Sequence, residues 1–479
     1  MVFPILGANS ASTGYEISNS LRFNNDADTA SLAITPSGAG NRKTFTWSGW
    51  VKKAAIDSSQ DHLFMVNGGN ADDTWFQLRF EDNDLVVSSY NARMVRTDRK
   101  FRDPSAWYHV VCAVDTTQAT DSNRVKLYVN GVQETSFSTT SYPSQDSNTG
   151  VNGTYRHFIG AEGGTSGSGS GNYFNGYMTE VHLIDGSALD PTSFGEFNTN
   201  GVWVPIKYTG SYGTNGFFLQ FKQTGTSQNS SGIGADTSGN DNHFAVSNFA
   251  AIDVTEDTCT NNFATMDPSN GDRQQGGAAT FAEGNLQIAT SYVDSNYQRY
   301  PQVYSTQAVS SGKWYFEMKI TTSDVDSFIG VHSPDNHASD STTNPYGGYA
   351  ATGAIYTSRG AVRINDGQTT GHGTFSQSDI VGCALDIDNN KVYFHKNGTY
   401  IQSGDPAGNS GGQAIPTGYT YGFTVGNDTA SDSGTMQANF GNPPYTISSG
   451  NNDGKYGNFE YAVPSGYYAV CTKRLAEFG

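Results

Sequence analysis

Over most of the chain, short runs of alternating apolar and polar residues are separated by Gly, Asn, Asp, Ser and Pro. In residues 45–52, Phe-Thr-Trp-Ser-Gly-Trp-Val-Lys, large apolar side chains recur at alternating positions, the period of a strand with one buried face. Similar runs occupy 75–80, 107–115 and 313–320. No segment sustains the 3.6-residue period of an amphipathic helix, so we expect helices of one turn at most. The pattern predicts an all-β protein.

The strand-like runs fall into two blocks, and a segment rich in Asn, Gly, Ser and Thr lies between them. That segment still carries one strand-like run, 216–221, so we expect its apolar pieces to pack on one block or the other. Too few residues precede the first block to fold alone, and they suit a docking peptide. The predicted division is an N-terminal docking segment 1–14, a first sandwich 15–200, a connector 201–275, a second sandwich 276–445, and C-terminal strands 446–479 that pack on the second sandwich.

One hairpin pattern occurs in both blocks. A small-residue strand containing Cys-Ala, at 111–115 and again at 382–386, is followed by a Tyr-bearing strand that ends in Asn-Gly at 130–131 and 397–398. An Asn-Gly pair between apolar runs is a strong hairpin signal, because both residues tolerate positive φ. One interpretation is that both blocks share one sandwich architecture. The alternative, that two antiparallel hairpins look alike by chance, stays open.

Composition narrows the possible functions of the chain. Its 479 residues suit more than one core, and an aromatic fraction of 13% excludes a disordered chain. The net charge of −18 argues against nucleic-acid binding, which needs clusters of cations. The same charge would repel anionic membranes and polyanionic glycans unless a divalent cation bridged them.

The cysteines and the N-terminus bear on compartment. Four cysteines lie far apart without metal-ligand spacing, and Cys112 and Cys383 fall inside apolar runs where we expect buried thiols. The first residues lack the basic region of a signal peptide, and no run approaches the roughly 20 apolar residues of a membrane span. We expect synthesis in a cytoplasm and no membrane insertion.

The first block resembles laminin-G-like, concanavalin-type jelly rolls, and the second resembles a SPRY domain. The first likeness rests on the runs 20–23, 45–52, 107–111, 126–131 and 174–181. The second rests on the runs 311–317, 328–331, 380–386 and 392–398. Together they imply two concanavalin-type jelly-roll β-sandwiches in tandem.

Four further runs are similar to segments of structural proteins from marine bacteriophages, namely 39–44, 212–217, 234–240 and 261–268. This resemblance implies a virion protein, made in the host cytoplasm, such as a tail fibre that binds a host-surface glycan or protein and contacts other virion proteins. Because fibres are usually symmetric, it also implies a homo-oligomer; a trimer is our working assumption, without support from any heptad run. The alternative is a capsid decoration or fibre protein that docks only to other virion proteins.

Candidate catalytic and metal motifs have simpler interpretations. Residues 408–412 match GxSxG around Ser410, but a nucleophile elbow needs a strand before it and a helix after it. The run starting at Asp386 lacks the Gly and Glu of a calcium loop. The acidic stretches 70–73, 236–241 and 253–257 could supply oxygen ligands for Ca²⁺, although solvated turns explain them as well. We expect no required cofactor, with Ca²⁺ as the one candidate.

Carboxylates on or beside strands are Asp84, Asp115, Glu180 and Glu317. A glycoside hydrolase needs two acids converging on one cleft, and the sequence does not indicate which of these converge. The family resemblance supplies no catalytic residues either. We therefore predict a non-enzymatic protein.

Binding loops are easier to propose, because sugars are held by aromatic faces with amides and carboxylates nearby. Loops of the second block with both residue types include 292–304, 333–337 and 344–349. In SPRY domains such loops at one end of the sandwich form the ligand surface, so the resemblance favours this end. The predicted ligand-binding residues are Asp335, Asn336, His337, Tyr346 and Tyr349.

Overall fold

The computed structural model describes the greater part of the chain and is nearly all β-structure. The described residues are 14–24, 29–57, 59–269, 277–292, 302–322, 327–333, 352–364, 367–427 and 433–479. They divide into two compact units, one ending at Thr260 and the other starting at Asn261. The prediction of an all-β protein with sandwich sheets is confirmed.

The first unit contains two eight-stranded sheets and two small hairpins. Sheet 1 has the order β10-β9-β8-β3-β15-β1-β20, with β18 also paired to β15. Its strands are β1 (Ser20–Phe23), β3 (Thr44–Lys53), β8 (Trp107–Asp115), β9 (Val125–Val129), β10 (Val132–Gln133), β15 (Gly176–Asp185), β18 (Phe217–Leu219) and β20 (Val254–Thr255).

Sheet 2 has the order β11-β7-β6-β5-β4-β12-β2-β19. Its strands are β2 (Ser31–Ile34), β4 (Gln60–Asn67), β5 (Trp75–Glu81), β6 (Asp84–Ser88), β7 (Arg93–Thr97), β11 (Phe137–Thr140), β12 (Arg156–Ile159) and β19 (Ala245–Ser247). The small hairpins pair β13 (Glu162–Gly163) with β14 (Gly169–Gly171), and β16 (Gly195–Phe197) with β17 (Trp203–Pro205).

The core of this unit lies between the inward faces of sheets 1 and 2. Phe45 and Trp47 of β3 are fully buried in it together with Phe76 and Leu78 of β5. Each burial follows the period-two alternation of its strand, since successive side chains point to opposite faces of a sheet.

The segment that we expected to act as a connector is divided between the two units. Three of its strands extend the sheets of the first unit, because β18 pairs with β15, β19 with β2 and β20 with β1. Past Thr260, Phe263 forms a bridge with Cys471 and Met266 forms a bridge with Ser305, all within the second unit.

The second unit also contains two sheets. Sheet 3 has the order β21-β22-β34-β24-β29-β30-β31, with β32 paired to β30 and β35 to β24. Its strands are β21 (Gly277–Ala282), β22 (Gln287–Tyr292), β24 (Lys313–Ile320), β29 (Ile380–Asp386), β30 (Lys391–Lys396), β31 (Thr399–Tyr400), β32 (Gln413–Ala414), β34 (Gly434–Asn439) and β35 (Tyr468–Ala469).

Sheet 4 has the order β23-β33-β25-β26-β27-β28. Its strands are β23 (Gln302–Val309), β25 (Ser327–His332), β26 (Gly353–Thr357), β27 (Val362–Ile364), β28 (Gly367–Thr369) and β33 (Tyr421–Asn427). A second apolar core contains residues of both sheets, among them Phe316 of β24 and Phe423 of β33.

The two hairpins predicted from Asn-Gly pairs are present, one in each unit. Asn130 and Gly131 have φ of 48° and 79°, and Asn397 and Gly398 have φ of 48° and 80°. Positive φ at both central residues is the conformation that a two-residue hairpin needs to match the twist of its strands.

The two hairpins also occupy corresponding places in sheets 1 and 3. Cys112 lies opposite Trp47 of β3, and Cys383 lies opposite Phe316 of β24, each in a strand next to its hairpin partner. Both thiols are buried, as predicted. The order β10-β9-β8-β3-β15 therefore corresponds to β31-β30-β29-β24-β34, which favours a shared architecture over chance likeness.

The C-terminus differs from the prediction of single helical turns. Thr472–Phe478 forms an α-helix of seven residues, which is about two turns. Arg474 of this helix is held by the carboxylate of Asp453 at 2.8 Å, and Leu475 packs on the second core. These tertiary contacts stabilise a helix too short to stand alone. Single 3₁₀ turns occur at Asp121–Asn123, Pro191–Ser193, Ala251–Asp253 and Ile401–Ser403.

Within the described parts of the chain, no helix has the length and apolarity needed to cross a membrane.

Candidate ligand-binding face

The five ligand-binding residues predicted from sequence, Asp335, Asn336, His337, Tyr346 and Tyr349, lie outside the described residues. Most of the 292–304 loop lies outside them as well. These assignments stay predictions.

Ser410 does not lie in a nucleophile elbow. Its backbone N–H and C=O bond with those of Asp405, at 3.0 and 2.8 Å, so that it closes a loop. The next strand is the two-residue β32, and no helix follows directly. Asp386 accepts from both nitrogens of Asn389 at the turn between β29 and β30, which confirms the interpretation as a hairpin turn.

The four strand carboxylates each have structural partners of their own. Asp84 contacts Arg96 and Lys100, and Asp115 accepts from Thr117 in a turn. In the second unit, Glu317 is fully buried and accepts the backbone N–H groups of Glu460 and Tyr461, at 3.0 and 2.8 Å.

Glu180 of β15 has a different environment. It lies at an irregularity of the β15–β3 ladder with φ of 49°, an uncommon conformation for a residue other than Gly. The hydroxyl of Tyr15 donates to its carboxylate at 2.7 Å. Burial raises the pKa of Glu180 to about 7.

Glu180 lines a narrow crevice on the outer side of sheet 1 together with Trp50, His109 and His182. Nε1 of Trp203 donates to Nδ1 of His109 at 3.0 Å, and Nε2 of His109 lies 2.9 Å from the Ser48 hydroxyl. Burial lowers the pKa of His109 to about 3, so the ring is neutral. Because Nδ1 accepts from Trp203, the ring proton is on Nε2, and His109 donates to Ser48. A base that activates serine must instead accept that proton, so this pair does not fit a nucleophilic dyad.

In two of the acidic stretches proposed for Ca²⁺, a buried carboxylate is bonded to protein groups. Asp236 accepts the backbone N–H groups of Phe218, Ser238 and Asn242. Asp257 forms a buried ion pair with Lys52 at 2.9 Å. The part of the chain that the structure describes contains no group of three or more His, Cys, Asp or Glu side chains that could hold a metal ion.

The outer side of sheet 2 offers the best candidate for a binding surface. In β5, the apolar residues Phe76, Leu78 and Phe80 face the core, so Trp75, Gln77, Arg79 and Glu81 fall on the opposite face. Register then places Ser88 of β6 beside Gln77, and Arg93 of β7 beside Ser88. We call Gln77, Arg79, Glu81, Ser88 and Arg93 the polar face.

Hydrogen bonds across the polar face fix its side chains. The guanidinium of Arg79 donates to Glu81 at 2.6 and 3.1 Å, to Gln77 at 2.7 Å and to Ser88 at 2.6 Å. Glu81 also accepts from Arg93. Gln77, Arg79, Glu81 and Ser88 are buried, with exposed fractions of 8%, 5%, 6% and 3%, whereas the Arg93 side chain is 48% exposed. The four buried side chains thus form a fixed layer, and Arg93 is the member of the polar face that presents N–H groups to solvent.

Two aromatic rings border the polar face. Trp75 is half-buried at the start of β5, and Tyr90, in the turn between β6 and β7, is 43% exposed. Their ring centroids are 5.4 Å apart at an interplanar angle of 68°. Asp72 accepts from the backbone N–H of Asn91 at 2.8 Å and so ties the turn of Tyr90 to the loop before Trp75. We call Trp75 and Tyr90 the aromatic pair.

The hairpin of β13 and β14 lies beside the same face. The side-chain amide of Asn67 donates to the backbone carbonyl of Gly163 at 2.8 Å, and the backbone N–H of His62 donates to the backbone carbonyl of Asn172 at 3.2 Å. The hairpin therefore packs along β4, the strand that neighbours β5 and its residue Arg79.

Sequence reasoning recognised 75–80 as a strand but assigned no function to its polar positions. The alternation of 75–81 was enough to place Trp75, Gln77, Arg79 and Glu81 on one face. The approach of Ser88, Tyr90 and Arg93 depends on register, which the pattern of β5 does not contain.

Two family models match the chain. Residues 25–193 match "Concanavalin A-like lectin/glucanases superfamily", and residues 313–404 match "SPRY domain". The chain therefore carries a laminin-G-like, concanavalin A-like domain followed by a SPRY domain, as predicted. Because the description of the first family includes both lectins and glucanases, the match does not separate binding from hydrolysis.

Among curated proteins, the dual specificity protein kinase splA of Dictyostelium discoideum is 33% identical over 100 residues. The match covers 20% of this chain, and the chain spans about 4% of the length of that relative.

Solved structures with similar folds include the SPRY domain of human HERC1, at 16% identity and TM-score 0.28, covering 36% of this chain and 96% of that one. A heptameric SAP-like pentraxin from Limulus polyphemus has 15% identity and TM-score 0.28, covering 36% and 79% respectively. Similarity at this level carries no information about function.

Proposed function

We propose that this chain is a non-catalytic binding protein whose first sandwich recognises a carbohydrate ligand at the polar face and the aromatic pair. The observation that carries the proposal is the placement of an exposed tyrosine and a half-buried tryptophan beside the exposed guanidinium of Arg93, which a buried, hydrogen-bonded row of polar side chains holds through Glu81.

Both halves of this arrangement suit a sugar. The C–H surface of a pyranose packs against an aromatic ring, and its hydroxyls bond to neighbouring polar groups. The polar face is held by its own hydrogen bonds, so little side-chain entropy is lost when a ligand binds. Arg93 supplies exposed donors from the same row as Gln77 and Ser88.

The carboxylates of this face support binding rather than hydrolysis. Glu81 contacts three guanidinium groups, and Asp84 contacts Arg96 and Lys100. An acid catalyst must present a proton to the leaving oxygen, and a carboxylate held by cations is poorly suited to do so.

We further propose that the protein serves as a bacteriophage virion appendage, such as a tail fibre, and binds a host-surface glycan without cleaving it. The support is the likeness of four segments to marine phage structural proteins, together with the tandem sandwiches. Its partners would then be other virion proteins and the host surface, and its location the virion. Ca²⁺ stays the candidate ion for an acidic glycan.

A glycan array with the full chain, with and without added Ca²⁺, tests the binding proposal. We expect a defined set of glycans to bind, and both Trp75→Ala and Tyr90→Ala to weaken binding by up to about tenfold, since a stacked ring contributes about 0.5–1.5 kcal/mol beyond the area it buries. Tyr419→Ala is the matched control, because Tyr419 is 36% exposed and lies in the second unit. If no glycan binds, or if the Tyr90 and Tyr419 variants bind alike, the proposed site is wrong.

The virion proposal has a separate test. Immunogold labelling of intact particles should place the protein on a tail appendage, and the purified chain should compete with particles for adsorption to host cells. Labelling of the head without competition would favour the alternative of a capsid decoration.

A further inference from the structure

Strand β11 ends sheet 2, and within the described chain it pairs only with β7. Ser138, Thr139 and Thr140 of this strand are exposed. An edge strand presents unpaired N–H and C=O groups that can template pairing with another strand.

The edge of β11 lacks the usual charged protection. Residues 135–142, Thr-Ser-Phe-Ser-Thr-Thr-Ser-Tyr, carry no charge, in a chain with 45 acidic and 27 basic residues. Natural edge strands are commonly protected by Lys, Pro or a bulge. The one such device in this strand is a register shift between Phe137 and Thr139, which leaves Thr139 and Thr140 in regular register with Arg96 and Val95.

The outward backbone groups of β11 can be identified from one hydrogen bond. The N–H of Ser141 donates to the carbonyl of Met94 at 2.9 Å, toward β7. Because backbone groups alternate in direction along a strand, the N–H and C=O of Thr140 point away from β7. Thr140 therefore offers one donor and one acceptor to an incoming strand.

We propose that β11 pairs antiparallel with β11 of a second copy of this chain, about a two-fold axis. Each copy carries a net charge of −18, so two copies repel one another over most of their surfaces. An uncharged edge is where close approach meets least repulsion. A two-fold pairing places Thr and Ser opposite Thr and Ser, a combination that forms favourable cross-strand contacts. This assembly is a dimer, not the trimer assumed from sequence.

Sedimentation velocity of the full chain over a range of concentrations and salt tests the pairing. We expect a monomer–dimer equilibrium that strengthens as salt screens the repulsion. Thr140→Pro removes the outward N–H and spares the inward ladder, and Thr140→Lys puts a charge on each edge. Each variant should weaken dimerisation about tenfold or more, because a two-fold interface contains the change twice.

Thr199→Lys is the matched control, since Thr199 is exposed in the turn between β16 and β17 and the charge change is the same. It should dimerise like the unmodified chain. Far-ultraviolet circular dichroism and the unfolding midpoint establish that each variant is folded; if Thr140→Pro fails this check, Thr140→Lys decides. A monomer at every concentration, a trimer, or a dimer unaffected by a folded Thr140 variant overturns the proposal.

Discussion

Arg79→Met tests whether the hydrogen bonds of the polar face hold sheet 2 together. Arg79 is 5% exposed and donates to three side chains on β5 and β6. Met keeps much of the apolar stem and removes the guanidinium. Ser88 and Gln77 would still bond to each other, since their oxygens are 2.9 Å apart, and Glu81 would keep Arg93 and Arg96.

The expected loss follows from the burial of the charge. Breaking a buried ion pair from one side costs about 3–5 kcal/mol. Because Glu81 keeps its contacts with Arg93 and Arg96, we expect the loss in free energy of unfolding to be at the lower end of this range, about 3 kcal/mol. For a unit of this size, that loss lowers the unfolding midpoint by about 6–12 °C.

Differential scanning calorimetry of the full chain measures this loss, because the transition that includes the first unit should move alone. Arg99→Met is the matched control: the Arg99 side chain is 50% exposed, contacts Glu134 at 2.6 Å, and should cost less than about 1 kcal/mol. Equal midpoints for the Arg79 and Arg99 variants would refute the reasoning.

Three further predictions concern buried groups. Burial raises the pKa of Glu180 to about 7, so the folded chain holds the carboxyl proton more tightly than the unfolded chain does. The free energy of unfolding should therefore fall by about 3 kcal/mol as the pH rises from about 4.5 to about 7. Glu180→Gln should remove this part of the slope in urea titrations. The slope that remains includes the contributions of Asp61, whose pKa burial also raises to about 7, and of Glu317, whose pKa burial raises as well. Burial raises the pKa of Cys112 to about 12, so alkylation followed by mass spectrometry should label this thiol far faster in the unfolded chain; rapid native labelling would contradict its burial. Gly131→Ala should lower the thermal unfolding midpoint more than Gly201→Ala does. Both glycines have positive φ, but of the two only Gly131 has the Trp203 ring at the place where a Cβ would lie. Equal midpoints for the two variants would mean that the ring moves aside at no cost.

Local features of the fold could be predicted from sequence because the physics behind them is local. An Asn-Gly pair tolerates positive φ at both residues, and between two apolar runs Asn130 and Gly131 adopt it. The alternation in β5 assigns each side chain to a face. The burial of Cys112 and Cys383 follows from the same alternation. The division into two sandwiches needed no more than the clustering of such runs.

Pairing between distant strands was beyond the reach of these patterns. The segment 201–275 looked like a connector because its strands are short, yet β18, β19 and β20 complete the sheets of the first unit. Short strands carry little periodic signal, and their stability comes from the strand they join. The C-terminal helix was missed for the same reason, since Asp453 and the second core stabilise it.

The residues of the candidate site also divide into those that the strand alternation places and those that the strand pairing places. The sequence by itself determined that Trp75, Gln77, Arg79 and Glu81 share a face, because the period of a strand is a property of its own backbone. Only the tertiary structure brought Ser88, Tyr90 and Arg93 alongside, because register depends on turns and on packing against a common core. For this protein, the pattern along the chain determined which side chains point outward, and the pairing of its strands decided which of them meet.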